Sequence, residues 1–153
     1  MNNPATIKEQ ILKQISDSLS EKVSDAMHAI ASAKESRNND TKSSAGDKFE
    51  TGRAMMQMEI DTNEIQLNKS LHQQQELSQI DIRRNYEKVE AGSLVMTNHE
   101  NYFISIAMGK IIAGDKIFYA ISLASPIGMI LRNKVRGEKI EFHGRVLEIL
   151  HIQ

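Results

Sequence analysis

Residues 78–93 read SQIDIRRNYEKVEAGS, and the spacing of apolar residues differs on the two sides of this stretch. Upstream, Ile7, Ile11, Ile15, Leu19, Val23, Met27 and Ile30 recur at steps of four and finally three, which is one stripe of a long helix. Downstream, residues 94–96, 102–107, 117–122, 139–142 and 146–152 form short apolar-rich runs separated by Gly, Asn and Asp turns, and these read as strands. A boundary inside the stretch divides the chain into 1–82 and 83–153. The expected fold class is α+β.

The first part contains a second helical pattern. Phe49, Met56, Ile60, Asn63, Leu67 and Leu71 follow at spacings of seven, four and three, continuing toward Leu77 or Ile80. The first helix begins at Asn3-Pro4, an N-cap with proline behind it, or at the capping box Thr6-x-x-Glu9. Its stripe fades beyond Ala33, where Asn38, Asn39, Asp40, Ser43, Ser44 and Gly46 supply turn chemistry. Both stripes are narrow and the opposite faces polar, so each helix has about one partner to pack on. The reading is a long antiparallel helical hairpin, a coiled coil, whose thin end lies near residues 40–52. In the second part, "SPIGMILRN" reads as a short helix with Ser125 as N-cap and Pro126 in the first position, and "EFHGRVLEI" as a hairpin around His143-Gly144. The expected sheet is small and antiparallel, and about 65 residues is little for independent stability.

Composition narrows the function. With 40 % apolar and 25 % charged residues the chain has an ordinary globular balance, and a net charge of -1 argues against a strong unaided nucleic-acid binder. Only 5 % of residues are aromatic and none is Trp, which leaves little for a base-stacking surface. Cysteine is absent, so disulfides and thiol chemistry are excluded, in keeping with a reducing compartment. No apolar run approaches the roughly 20 residues of a membrane span, and the first residues lack a signal peptide's pattern. A cytoplasmic location and no membrane partner are expected. The histidines at 28, 72, 99, 143 and 151 show no metal-ligand spacing among themselves.

The thin end reads KSSAGDKFETGRAMM, residues 42–56. Gly46 and Gly52 are separated by five residues and followed by Arg53-Ala54, which excludes a phosphate-binding loop of the Walker type. Asp47 and Glu50 are the notable pair. Asp47 has an ordinary explanation three residues after an N-cap at Ser44, where negative charge favours the helix start by about 0.3–1 kcal/mol. Glu50 alone would be a solvated charge. Together they offer two carboxylates, too few for a closed Mg²⁺ site with about six oxygen ligands but enough to complete one supplied from elsewhere. Lys42, Lys48 and Arg53 are solvated cations or phosphate contacts. Gly52 frays the tip or allows close approach, and Met55, Met56 and Met58 read as adaptable packing.

Two motifs in this order, behind a long hairpin, make the chain resemble the Gre-type transcript-cleavage factors of bacterial RNA polymerase along nearly its whole length. One is Gly46-Asp47-Lys48-Phe49-Glu50; the other is Ser125-Pro126-Ile127-Gly128 with Leu131, Lys134, Gly137 and Ile140. The resemblance implies a C-terminal domain of FKBP-like fold that docks on the polymerase through Ser125, Pro126, Ile127 and Gly128. It implies a tip that enters the secondary channel, where Asp47 and Glu50 are catalytic by holding a Mg²⁺ shared with the polymerase active centre. Lys42, Lys48 and Arg53 would then contact the nascent RNA or the polymerase. The implied partners are RNA polymerase and the transcript in its channel, with a monomer as the expected state; the factor stimulates the polymerase's own cleavage of backtracked RNA and is no enzyme by itself. The chain departs from the family at Thr51-Gly52-Arg53-Ala54, where the family carries Asn and then a Glu-Tyr pair. That departure keeps open a channel-binding regulator without cleavage. A chaperone-like hairpin is a third reading, weakened because residues 42–50 offer only Phe49 and Ala45 as apolar groups. Prolyl isomerisation fits poorly with so few aromatic residues.

Overall fold

A computed structural model describes residues 4–40 and 47–153, apart from the side chains of residues 4–6, 40 and 47–49. The class is α+β. Two long helices, α1 (Pro4–Asp40) and α2 (Asp47–Ser78), precede six strands: β1 (Leu94–Thr97), β2 (Asn101–Ile104), β3 (Gly109–Ala113), β4 (Lys116–Ile121), β5 (Lys139–Phe142) and β6 (Arg145–Ile152). A short helix, α3 (Pro126–Leu131), lies between β4 and β5. The chain divides into two compact units, residues 17–74 and residues 1–16 with 75–153.

The first helix runs further than its apolar stripe. Turn chemistry at Asn38-Asn39 was expected to end it, yet α1 continues to Asp40. The side chain of Arg37 donates to Gln57 Oε1 at 2.6 Å, a contact made only if the last turns are helical. Asn costs a helix only a few tenths of a kcal/mol relative to better formers, so tertiary contacts override it. The loop residues Ser43, Ser44 and Gly46 lie outside the described residues.

Burial also corrects the stripes. Ile11, Ile15 and Leu19 are buried, but Met27 is 57 % exposed and Ala26 takes the inner position, followed by Ile30 and Ala33. Steps of four overshoot a turn by about 40° each, so a strict four-residue stripe walks around the helix. Alternating steps of four and three keep the inner face aligned. In α2 the same alternation selects Met56, Ile60, Asn63, Leu67 and Ser70, while Leu71 stays 44 % exposed. Ser70 is fully buried, and its Oγ accepts from Gln66 Nε2 at 3.1 Å. In the unit of residues 17–74, Ile30, Ala33 and Ile60 form the apolar cluster, with Met56 and Leu67 packed on it.

The other unit holds a six-stranded sheet in the order β3-β4-β2-β1-β6-β5. The sheet is mixed where a wholly antiparallel one was expected, because β2 and β4 pair in parallel. The chain leaves β2, skips one strand position to lay down β3 at the edge, and returns through a two-residue loop at Gly114-Asp115 to place β4 between them. The remaining pairs are antiparallel. The β5–β6 hairpin turns at His143 (φ 51) and Gly144 (φ 76), the left-handed pair that suits the twist of a two-residue hairpin. Val95, Ile104, Leu131, Leu147 and Ile149 are among the residues that make one face of the sheet its core together with Tyr86 and Val89 from the preceding segment. Gln14 of α1 donates to the Ile112 carbonyl of β3 at 2.6 Å.

Candidate functional site

The two regions singled out by sequence lie in different units. Asp47 is the first described residue of α2, and residues 47 and 50 are three apart on the helix, a spacing that puts them on one side of it. Glu50 and Arg53 are exposed and Gly52 half-buried. Lys42 lies outside the described residues, as do the side chains of Asp47 and Lys48. Among the described residues no group of three His, Cys, Asp or Glu side chains could hold a metal ion. Met56 packs on the helix cluster, whereas Met55 (60 %) and Met58 (69 %) face solvent, so the expectation of three packing methionines holds for one.

The second region is the start of α3, built as its sequence predicts. Ser125 is the N-cap in extended conformation (φ -68, ψ 157), and Pro126 sits where its missing N–H costs nothing. The Gly128 N–H donates to Ser125 Oγ at 3.0 Å, and Ser125 Oγ–H donates to the Ser122 carbonyl at 2.7 Å. Behind the helix, the Val89 N–H donates to the Lys134 carbonyl and the Asn133 N–H to the Val89 carbonyl, both at 2.9 Å, with Asn133 left-handed at φ 65. These bonds tie α3 to the segment entering the sheet.

That geometry sorts the four residues. Ser125 is occupied by capping, Ile127 packs against the sheet core, and Gly128 is buried against the backbone of residues 122 and 123. Pro126 is exposed, and beside it Met129 (66 %) and Ile130 (36 %) reach solvent. The exposed apolar side chains of α3 are therefore Pro126, Met129 and Ile130, two of which sequence reading did not single out. Their helical spacing from Pro126 was the available signal.

A polar cluster at the other end of the sheet is structural. Arg145 donates to both oxygens of Glu100, at 2.9 and 3.1 Å, and the Tyr102 hydroxyl donates to Glu100 at 3.2 Å. The guanidinium holds the Glu100 carboxyl below its usual range; burial and then the Glu100 charge push the Tyr102 phenol up to about 12. These groups are satisfied by one another.

Comparison with family models, with curated proteins and with solved structures gave no match.

Proposed function

We propose that this chain is a Gre-type transcription elongation factor. In this reading α1 and α2 form a coiled-coil hairpin that enters the secondary channel of RNA polymerase, and the β domain, FKBP-like in fold, docks outside it. Asp47 and Glu50 would hold a Mg²⁺ in common with the polymerase active centre, and such an ion would supply activation of a water toward the phosphodiester of backtracked RNA. Lys42, Lys48 and Arg53 meet the transcript or the channel wall, and the factor works as a cytoplasmic monomer. The observation that carries the reading is the order of parts: residues 47 and 50 open the second of two long helices, and a Ser-Pro-capped α3 follows within a sheet domain. Because Ser125 and Gly128 are engaged inside the domain, docking falls to Pro126, Met129 and Ile130.

The test is cleavage of a stalled, backtracked elongation complex with cognate polymerase. Asp47→Ala and Glu50→Ala should each lower cleavage by about 10²-fold or more, as loss of a group that stabilises developing charge does, while competition for polymerase binding stays near wild type. Raising Mg²⁺ should restore part of the loss. Unchanged cleavage in both variants removes the acids from the chemistry.

Two observations favour other readings. The Thr51-Gly52-Arg53-Ala54 departure suits a channel-binding regulator without cleavage, which the same assay identifies if wild type binds but does not cleave. Met55, Met58 and Ile65 (72 %) recur along one exposed side of α2, as a chaperone-like holding surface would. Suppression of aggregation of an unfolded client by wild type, lost in Met58→Lys, would support that function.

A further inference from the structure

In the unit formed by residues 1–16 and 75–153, a cavity of about 360 Å³ opens between the first turns of α1 and the end of β6, lined by Lys8, Ile82, Arg83, Arg84, Asn85 and His151, among others. Among the described residues no Asp or Glu side chain lines it. Lys8 is the unusual member. It is only 3 % exposed, its ammonium lies 4.7 Å from the centre of the Tyr86 ring, and among the described residues it forms no ion pair. A buried ammonium with no ion pair is costly, and the Tyr86 face and the field of the Asp81 carboxylate offset only part of that cost. Arg84 is partly engaged, through Glu90 at 3.0 Å and the Tyr86 ring at 5.0 Å. The Arg83 side chain has no carboxylate partner among the described residues; only its backbone N–H is engaged, by Asp81. The cavity therefore gathers the side chains of Lys8, Arg83 and His151, none ion-paired with an acid among the described residues, in a chain whose net charge is -1.

We propose that this cavity binds the phosphate group of a small phosphorylated molecule. A phosphate dianion offers the several acceptor oxygens that a planar guanidinium and a point-charge ammonium can share, and Asn85 adds a neutral donor. Ile82 and Ile152 supply an apolar flank for an organic portion. The volume lies near the lower end for small-molecule sites, which fits a compact ligand and excludes a nucleic-acid duplex. This inference stands independently of the polymerase reading.

The test titrates the full chain with inorganic phosphate and with phenyl phosphate, followed by amide chemical shifts and calorimetry at physiological ionic strength. A single saturable site should perturb residues 8, 82–85 and 151–153. Phenyl phosphate binding more tightly than phosphate identifies an organic phosphate as the ligand; equal affinities identify the free anion. Lys8→Met and Arg83→Gln should each weaken binding about tenfold, the effect of one charge-assisted hydrogen bond, with Arg136→Gln as an unaffected control. Burial pushes the Lys8 ammonium down to about 8, against a smaller upward pull from Asp81. Surrounded by Tyr86, Arg83, Arg84 and His151 and within the field of Asp81, it should gain a closer anionic partner on binding, so near pH 8 wild type takes up protons and Lys8→Met does not. Non-saturating shifts spread over all surface cations, or a Lys8→Met variant that is folded and binds like wild type, would overturn the proposal.

Discussion

Gly128 is the residue at which the sequence motif and the packing of α3 meet, and replacing it with alanine separates the two. In most helices a Gly→Ala change gains about 1 kcal/mol from propensity. Here an added Cβ would stand 2.8 Å from Ser125 Oγ and 3.0 Å from Leu123 Cα, and closer still to the Ser122 carbonyl oxygen. Two of those neighbours are backbone, which cannot rotate away. Relief requires the 122–125 turn to move, and that turn carries the Ser125 cap, worth about 1 kcal/mol. Overpacking of a filled site adds about 1–3 kcal/mol. Subtracting the propensity gain leaves a net loss of about 1–3 kcal/mol. All three tyrosines, Tyr86, Tyr102 and Tyr119, belong to the unit that contains α3, and there is no Trp. Tyrosine fluorescence in urea therefore follows this unit alone. The Gly128→Ala midpoint should fall clearly below wild type, while Met129→Ala, one residue on and solvent-facing, should move by no more than about 0.5 kcal/mol. A Gly128→Ala protein as stable as wild type, or more so, would refute the packing argument for α3.

Two further outcomes concern ionisable groups in the same unit. Lys8→Met should stabilise the protein at pH 7: an ammonium held at about 8 rather than 10.5 corresponds to ~3 kcal/mol, of which about 1–2 kcal/mol should appear once the long side chain is free to relax toward the cavity. The unfolded chain keeps this proton where the folded chain has lost it, so wild type gains stability from pH 8 to 10.5 and closes the gap to the variant; parallel pH profiles in denaturant titrations would rule out a strained Lys8. Tyr102→Phe should cost about 1 kcal/mol at pH 7 through the lost bond to Glu100. Since the folded phenol ionises only near 12, wild type should lose stability as pH rises from 10 to 12 and the variant should lose less; tyrosinate absorbance showing Tyr102 ionised by pH 10 would contradict this.

Much of the fold was legible because its signals are local. Ser125-Pro126 marks a helix start by capping chemistry, and β5 and its His143-Gly144 turn follow from alternation and two left-handed positions. What escaped depended on distant partners. The strand β3 was missed although Gly114-Asp115 is a two-residue turn, because the adjacent Ile111 and Ile112 break the apolar alternation, and without β3 the parallel β2–β4 pairing could not be foreseen. The stripe of α2 was continued from Leu67 to Leu71 by a second step of four. Ser70 wins the position because register across the helix pair follows the four-and-three alternation, and Gln66 satisfies its hydroxyl. For the acids the sequence supplied type and spacing, while the Ser44 cap expected to precede Asp47 lies outside the described residues. No local signal tied Lys8 to Arg83, since only the folded chain brings them to one cavity.

The sorting of the α3 motif bears on how such a domain can keep a recognisable sequence and still choose its partner. Ser125, Gly128 and the buried Leu131 fix where α3 sits, through a cap, a close backbone approach and a core contact, and none of the three presents its side chain to a partner. Substitutions there act on the domain's stability before they act on binding. Pro126, Met129 and Ile130 carry no comparable structural duty, so changes at those positions can alter a contact surface at little cost to folding. A motif of this kind identifies the scaffold, whereas on the polymerase reading specificity would reside in the exposed residues interleaved with it. On the polymerase reading, a loss of binding in Met129→Asp with unchanged urea stability therefore separates docking from folding, a distinction that no substitution of Ser125 or Gly128 can make.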